Sequence, residues 1–339
     1  MKPFHCAIIG CGRIGCEFDD NKRLKKRTHA TGYITNPKTK LVALCDVDNK
    51  KLKKYSKKYS ISSLYIDSKK MFNEKKLDCV SICTFADSHL RLVQEAVSNG
   101  VKCIFIEKPI SDSLSSTKKI IELCRKNKVI LAVDHQRRFE PFYHSIKNFI
   151  NKKLGKVDFV NVFYGAGIAN TGSHVFDLLR FFFGEVLQVK GEFSEIKSPN
   201  NKDLNLDVFL KFEKGPIAFL KALDLRNYGI CEFNIFGTNG RIILDILSNK
   251  VTYLKPSSNY FDYVRLSPTE FSLTEDQVSG TILGIKNMIG CISTGKEPLC
   301  TGYDGYKSLE LVIASILSAK ERKKVYLPLK NNSYKISSK

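Results

Sequence analysis

The first 135 residues alternate short apolar runs with amphipathic stretches. The runs Cys6–Ile9, Leu41–Cys45, Cys79–Cys83, Cys103–Ile106 and Ile130–Val133 are rich in Val, Ile, Leu and Cys. Continuous apolar segments of that length suit strands buried on both faces. Between them, Ser88–Ser98 gathers Leu90, Val93, Ala96 and Val97 on one helical face. Leu114–Lys126 does the same with Ile120, Ile121 and Cys124. Strands alternating with helices predict an α/β domain with a doubly wound parallel sheet over residues 1–135.

Beyond a helical stretch ending near Leu154-Gly155, strand patterns follow one another. They fall at Val157–Phe163, Val186–Phe193, Leu204–Phe212, Ile217–Ala222, Cys231–Phe236, Arg241–Leu247 and Val251–Leu254. Lys214-Gly215 and Asn239-Gly240 supply hairpin turns. Helical patterns occur at His174–Phe183, Glu275–Thr294 and Tyr306–Lys320. The expectation for residues 136–330 is an α+β domain on a large, mostly antiparallel sheet. Residues 331–339 are polar and read as a frayed tail. Two domains agree with a chain of 339 residues.

Composition narrows the class. With 43% hydrophobic residues the chain can build a sizeable core. No window approaches the ~18 apolar residues of a membrane span. The apolar run near Met1 is too short for a signal peptide, which predicts a cytoplasmic protein. The eleven cysteines include no CxxC and no zinc-spaced Cys/His cluster, so they read as buried thiols and no metal site is expected. The net charge of +21 comes from 55 Lys+Arg against 34 Asp+Glu, with Lys in excess and scattered over helix faces such as Lys50–Lys58. That reads as a solvated surface rather than a nucleic-acid or membrane site.

Gly10-Cys11-Gly12-Arg13-Ile14-Gly15 fits GxGxxG directly after the first strand. Its glycines permit a tight turn and close approach of a pyrophosphate to backbone N–H groups. Asp46 ends the second strand and is the candidate for the ribose hydroxyls, favouring NAD over NADP. It lies 31 residues after Gly15, against a usual ~20 from the motif, which is explained if Asp19–Arg27 is an insertion in or after the first helix.

With these residues in view the sequence resembles the glucose–fructose oxidoreductase / inositol dehydrogenase / MocA (Gfo/Idh/MocA) family. The match rests on the Gly10–Gly15 turn with Asp46, on Glu107-Lys108-Pro109, and on Asn170-Thr171-Gly172-Ser173-His174 with Asp177. Cys83-Thr84 with His89, Arg137–Pro141, Phe236–Gly240 and Tyr326-Leu327-Pro328 support it. The resemblance implies a Rossmann domain followed by an open-faced sheet domain. It further implies hydride exchange between nicotinamide and a secondary alcohol of a sugar or cyclitol, and a homodimer or homotetramer through the second sheet. Lys108 would contact the substrate hydroxyl and nicotinamide ribose, and His174 would be the catalytic histidine. Thr84, His89 and Glu107 would lie along the cofactor. Relatives usually carry Asp where this chain has Asn170, and Pro-Asn where it has Phe85-Ala86. An Asn-x-Gly-Ser-His segment is associated with a subset linked to surface-sugar biosynthesis, which suggests a nucleotide sugar.

The chemistry read from the residues agrees. Removing the proton of a hydroxyl during hydride transfer suits a histidine, and an ammonium such as Lys108 stabilises developing alkoxide. Arg138, Tyr164 and Asn170 are further candidates for substrate contact, and His29 for the border of the cofactor. Competing readings are an inositol or cyclitol dehydrogenase, a redox-neutral NAD-using epimerase, and an NAD-binding sensor without catalysis.

Overall fold

The computed structural model describes residues 2–21, 23, 25–269, 273, 278–330 and 333–337. The chain divides into two compact units, 1–140 with 276–307 and 141–275 with 308–339.

The first unit is built on β1 (Phe4–Ile9), β2 (Thr39–Cys45), β3 (Ser63–Tyr65), β4 (Cys79–Ile82), β5 (Cys103–Ile106) and β6 (Ile130–Val133). All are parallel, in the order β3-β2-β1-β4-β5-β6. Every residue of β5 is fully buried, as a continuous apolar run between two helical layers requires. The helices are α1 (His29–Thr35), α2 (Asn49–Tyr59), α3 (Ser68–Glu74), α4 (His89–Ser98) and α5 (Leu114–Lys126). Strand order reverses between β1 and β4, which leaves a crevice at their carboxyl ends.

The helix expected straight after the glycine turn is interrupted. One turn forms, with Cys16 N–H on Gly12 O at 2.9 Å and Phe18 N–H on Arg13 O at 2.8 Å. A short 3₁₀ turn, Glu17–Asp20, follows, and regular helix resumes only at α1. There His29 and Ala30 N–H donate to the carbonyls of Ile14 and Gly15, both at 3.1 Å. The helix therefore continues in space from Gly15 to His29, and the intervening residues are an insertion. Asp19 closes it, accepting from Arg27 N–H at 2.7 Å and from the Thr28 and Thr31 hydroxyls, each at 2.5 Å. Burial pushes this carboxyl up, but the donors win and hold it below its ordinary range.

The second unit opens with α6 (Pro141–Lys152), β7 (Val157–Tyr164) and α7 (Ser173–Phe183). Strands β8 (Val186–Phe193), β9 (Leu206–Phe212), β10 (Ile217–Ala222), β11 (Glu232–Gly237), β12 (Gly240–Asp245), β13 (Lys250–Tyr260) and β14 (Tyr263–Thr269) follow. After α8 (Gly280–Thr294) and α9 (Gly302–Glu321), β15 (Val325–Tyr326) completes a nine-stranded sheet. Its order is β14-β13-β12-β11-β7-β10-β9-β8-β15, antiparallel except for the β7–β10 pair. Inward residues such as Val160, Val162, Val208, Leu210, Ala218 and Leu220 are fully buried. On the alternate positions, Phe159 stands opposite Ile217 and Phe236, and Phe209 opposite Phe219. Phe159, Phe209, Ile217 and Phe236 are exposed.

The helix predicted at Glu275–Thr294 is seen as α8; residues 275–277 lie outside the described set. Although a continuous second domain over 136–330 was the sequence expectation, α8 groups with the first unit. The reason is close packing on α1: a Cβ on Gly32 would meet Ile285 Cδ1 at 2.4 Å. In the polar tail Ile336 is buried, and Lys320 Nζ lies 4.6 Å above the Tyr334 ring. Among the described residues no helix is long and apolar enough to cross a membrane. The eleven cysteines form no disulfide, and ten of them are buried.

Candidate active-site residues in the two units

In the first unit the glycine turn follows β1 at the crevice. Gly10 has φ +96°, and a Cβ there would lie 2.7 Å from the Cys83 carbonyl. A Cβ on Gly15 would lie 2.1 Å from Gly10 O. The protein's own backbone thus demands both glycines. Gly12 differs: the nearest atom to its Cβ position is Lys51 Nζ at 3.9 Å. Nothing in the chain requires a glycine there, whereas a bound pyrophosphate would. Asp46 reaches the same turn in spite of the insertion. Its Oδ2 accepts from Cys11 N–H at 2.6 Å, and its Oδ1 accepts from Asp48 N–H at 2.8 Å. Arg13 is exposed, and its guanidinium lies 5.0 Å from the Phe18 ring. The half-buried Ile14 supplies the carbonyl that receives α1.

These residues fit a dinucleotide. The turn from Gly10 to Gly15 would hold the pyrophosphate, and Asp46 would take the adenine-side ribose. A carboxylate in that place opposes a 2′-phosphate by like charge. NAD should bind at least about tenfold more tightly than NADP, and Asp46→Ala should narrow the ratio, as calorimetry would measure. Equal affinities in the parent chain would show that Asp46 does not read the ribose.

The remaining candidates separate. Thr84 is half-buried beyond β4, its hydroxyl 2.6 Å from Ser88 Oγ. Lys108 is half-buried after β5, and its peptide bond to Pro109 is cis. Both stay at the carboxyl edge of the sheet. His89, expected along the cofactor, is instead a buried strap. Its ring nitrogens contact the Ile110 carbonyl at 3.2 Å and the Thr84 carbonyl at 3.1 Å, and burial lowers its pKa. Glu107 turns inward, with Oε1 3.1 Å from His29 Nε2. His29, expected at the border of the cofactor, is fully buried, with its ring nitrogens on Ser81 and Glu107. Arg138, a candidate for substrate, is buried and paired with Asp304 at 3.0 Å.

In the second unit Tyr164 is likewise withdrawn from substrate. It is fully buried, and its hydroxyl donates to Leu206 O at 2.6 Å and accepts from Leu206 N–H at 3.1 Å. Asn170 is exposed and His174 half-exposed; Asp177, one turn on, is buried. A π-helical turn, Gly167–Gly172, delivers them into α7. Sequence reasoning missed what holds this turn. The buried Asp203 carboxylate accepts from Ala169 N–H at 2.9 Å and Asn170 N–H at 2.8 Å, while Asn205 Oδ1 accepts from Gly167 N–H at 3.0 Å. Gly167 has φ +87°, and a Cβ there would stand 2.2 Å from Asp203. Asp203 lies in a polar stretch after β8 that carries no signal except its polarity.

Comparison with known proteins accords with this geometry. Residues 4–135 match the oxidoreductase family, NAD-binding Rossmann fold, and residues 164–327 match its C-terminal alpha/beta domain. The chain is 26% identical to scyllo-inositol 2-dehydrogenase (NAD(+)) of Bacillus subtilis, covering 96% of each. It is 25% identical to D-apiose dehydrogenase of Paraburkholderia graminis, covering 96% of this chain and 90% of that one. The fold superposes with a TM-score of 0.79 on the WlbA dehydrogenase of Bordetella pertussis in complex with NADH and UDP-GlcNAcA, at 20% identity over 97% of this chain and 100% of that one. With an NAD-binding Rossmann unit, the matching α/β unit and both family motifs in one chain, this protein belongs to the Gfo/Idh/MocA family of oxidoreductases.

Proposed function

We propose that the protein is an NAD-dependent dehydrogenase acting on a secondary hydroxyl of a sugar or cyclitol. The observation that carries this is the retention of Lys108 and His174 in a chain that matches both halves of the family. A cofactor-binding sensor needs neither residue. In this reading the Lys108 ammonium polarises the substrate oxygen, and the His174 imidazole takes the hydroxyl proton. Bound NAD supplies the hydride acceptor. Asn170 binds substrate or orients the imidazole without adding charge, and Asp203 keeps the turn that presents it.

For the substrate we favour a nucleotide sugar of surface-polysaccharide biosynthesis. The net charge of +21 suits a phosphate-bearing ligand, and one structural neighbour holds UDP-GlcNAcA. The second reading is a cyclitol, favoured by the inositol dehydrogenase relative. Assay of NAD reduction with nucleotide sugars, free sugars and inositols separates them. A nucleotide-sugar substrate should lose kcat/KM steeply as salt rises, because screening weakens attraction. Turnover of free inositol without nucleotide-sugar activity would select the cyclitol reading.

We also propose that the exposed row of Phe159, Phe209, Ile217 and Phe236 covers itself in a homodimer or homotetramer. Light scattering should give a mass of at least twice 38.4 kDa at micromolar concentration, and Phe159→Asp with Phe236→Asp should reduce it to the monomer. A monomeric parent chain would remove this proposal.

A further inference from the structure

One buried cluster in the first unit lies outside the chemistry above. His29, the first residue of α1, is fully buried. Its Nδ1 is 2.9 Å from Ser81 Oγ on β4, and Ser81 donates onward to the Tyr33 hydroxyl at 2.9 Å. Its Nε2 is 3.1 Å from Glu107 Oε1 at the end of β5 and 3.4 Å from Asp134 Oδ2 at the end of β6. Thr281 of α8 donates to the same Asp134 oxygen at 2.8 Å. The Phe105 ring lies 5.0 Å from the imidazole. Residues from three strands thus meet on one ring of α1, and α8 reaches it through Asp134.

Two carboxylates face this ring, and its far nitrogen has a hydroxyl oxygen already donating elsewhere. A ring protonated on both nitrogens can donate to each side at once. It also offsets buried negative charge that would otherwise be costly. We propose that His29 is a positioning residue for Lys108: as an imidazolium shared between Glu107 and Asp134, it fixes the strand end from which the Glu107-Lys108-Pro109 turn departs. The inference rests on the role given to Lys108 above.

The electrostatics agree in sign. Burial alone would lower the His29 pKa, but Cys83, Asp134 and Glu107 together raise it well above its ordinary value. Burial raises Glu107, with Asp134 acting in the same direction and His29 and Lys108 opposing. Cys83, Glu107, Asp134 and, through Ser81, Tyr33 are the titratable groups around the ring; α8 contributes the neutral Thr281. The ring keeps its proton until pH passes the raised His29 value, while on the acid side protonation of Glu107, whose pKa burial raises, removes one of its partners. The same three side chains bring ligand atoms within 4.8 Å of one another, so a divalent cation is the rival occupant.

The test combines ¹⁵N-histidine NMR and metal analysis of the purified protein with kinetics on two variants. Both His29 nitrogens should carry protons at pH 8, with no stoichiometric divalent metal. A neutral ring at pH 7, or one equivalent of metal, overturns the proposal. His29→Gln should lower kcat roughly tenfold or more, as a small displacement of a reacting group does, while the NADH Kd stays within about threefold. Full kcat in a folded His29→Gln overturns it. If that variant does not fold, Asp134→Asn serves. Removing one carboxylate lowers the His29 pKa, so the alkaline loss of kcat should begin at lower pH than in the parent. A parallel pair of profiles is the contrary result. Inactivity of the parent chain on every sugar and cyclitol would sink the dehydrogenase reading instead, while the NMR and metal results still decide the clamp.

Discussion

Lys108→Ala and His174→Ala should each lower kcat by ~10²-fold or more while NAD binding persists. In the proposed mechanism the ammonium stabilises the alkoxide charge that builds on oxygen as the proton is taken and that drives the hydride out, so its loss falls on the transition state rather than on substrate binding. The same mechanism has the imidazole accept that proton. The double variant should therefore cost much less than the product of the two single losses. Asn170→Asp probes the departure from the usual family pattern. A carboxylate near the imidazole favours its protonated form, so the rising limb of the kcat profile should move to higher pH. An unmoved profile would assign Asn170 to substrate binding. Full activity in His174→Ala would transfer the acid/base role to Lys108, since Tyr164 is buried with its hydroxyl on Leu206.

Substitutions in the glycine turn should divide into two kinds. Gly15→Ala drives a Cβ to 2.1 Å from Gly10 O, a backbone atom that cannot swing away. Separating β1 from the start of the helix should cost ~3 kcal/mol or more, and the variant should unfold at markedly lower urea. Gly12→Val meets open space in the chain, with Lys51 Nζ the nearest atom at 3.9 Å. It should melt within a few degrees of the parent yet bind NAD at least about 100-fold more weakly, because its side chain occupies the place of the pyrophosphate. Calorimetry and urea unfolding on both variants check this. Unchanged NAD affinity in Gly12→Val would mean that the cofactor does not approach this turn.

The parallel sheet was largely legible because β5 and β6 are unbroken apolar runs and β1, β2 and β4 are mostly apolar, broken only by His5, by Thr39-Lys40 and by Ser81, as a doubly covered sheet requires. β3 was not, being three residues beginning with Ser63. β14 escaped because no alternation marks it: six of its seven residues are exposed. The long spacing to Asp46 revealed an insertion, but not that the helix resumes through the Ile14 and Gly15 carbonyls. Those bonds form only when the chain folds back, and no local pattern announces them.

The candidate residues divide on similar grounds. That Asp46 meets the glycine turn was readable because both lie at the carboxyl ends of adjacent strands, at positions fixed by backbone geometry. Tyr164, His89 and Arg138 misled, since a polar side chain at a strand end or loop reads alike whether it meets a ligand or its own protein. Asp203 and His29 take their roles from residues 33 and 78 positions away, Asn170 and Glu107, so only the fold reveals them.

The most direct test of the dehydrogenase assignment is the appearance of NADH absorbance when the purified protein, NAD and a panel of nucleotide sugars, sugars and cyclitols are combined. At least one compound bearing a secondary hydroxyl should be oxidised with accumulation of NADH, and Lys108→Ala should slow that accumulation by ~10²-fold or more. NAD that binds tightly but yields no NADH with any member of the panel would contradict the assignment.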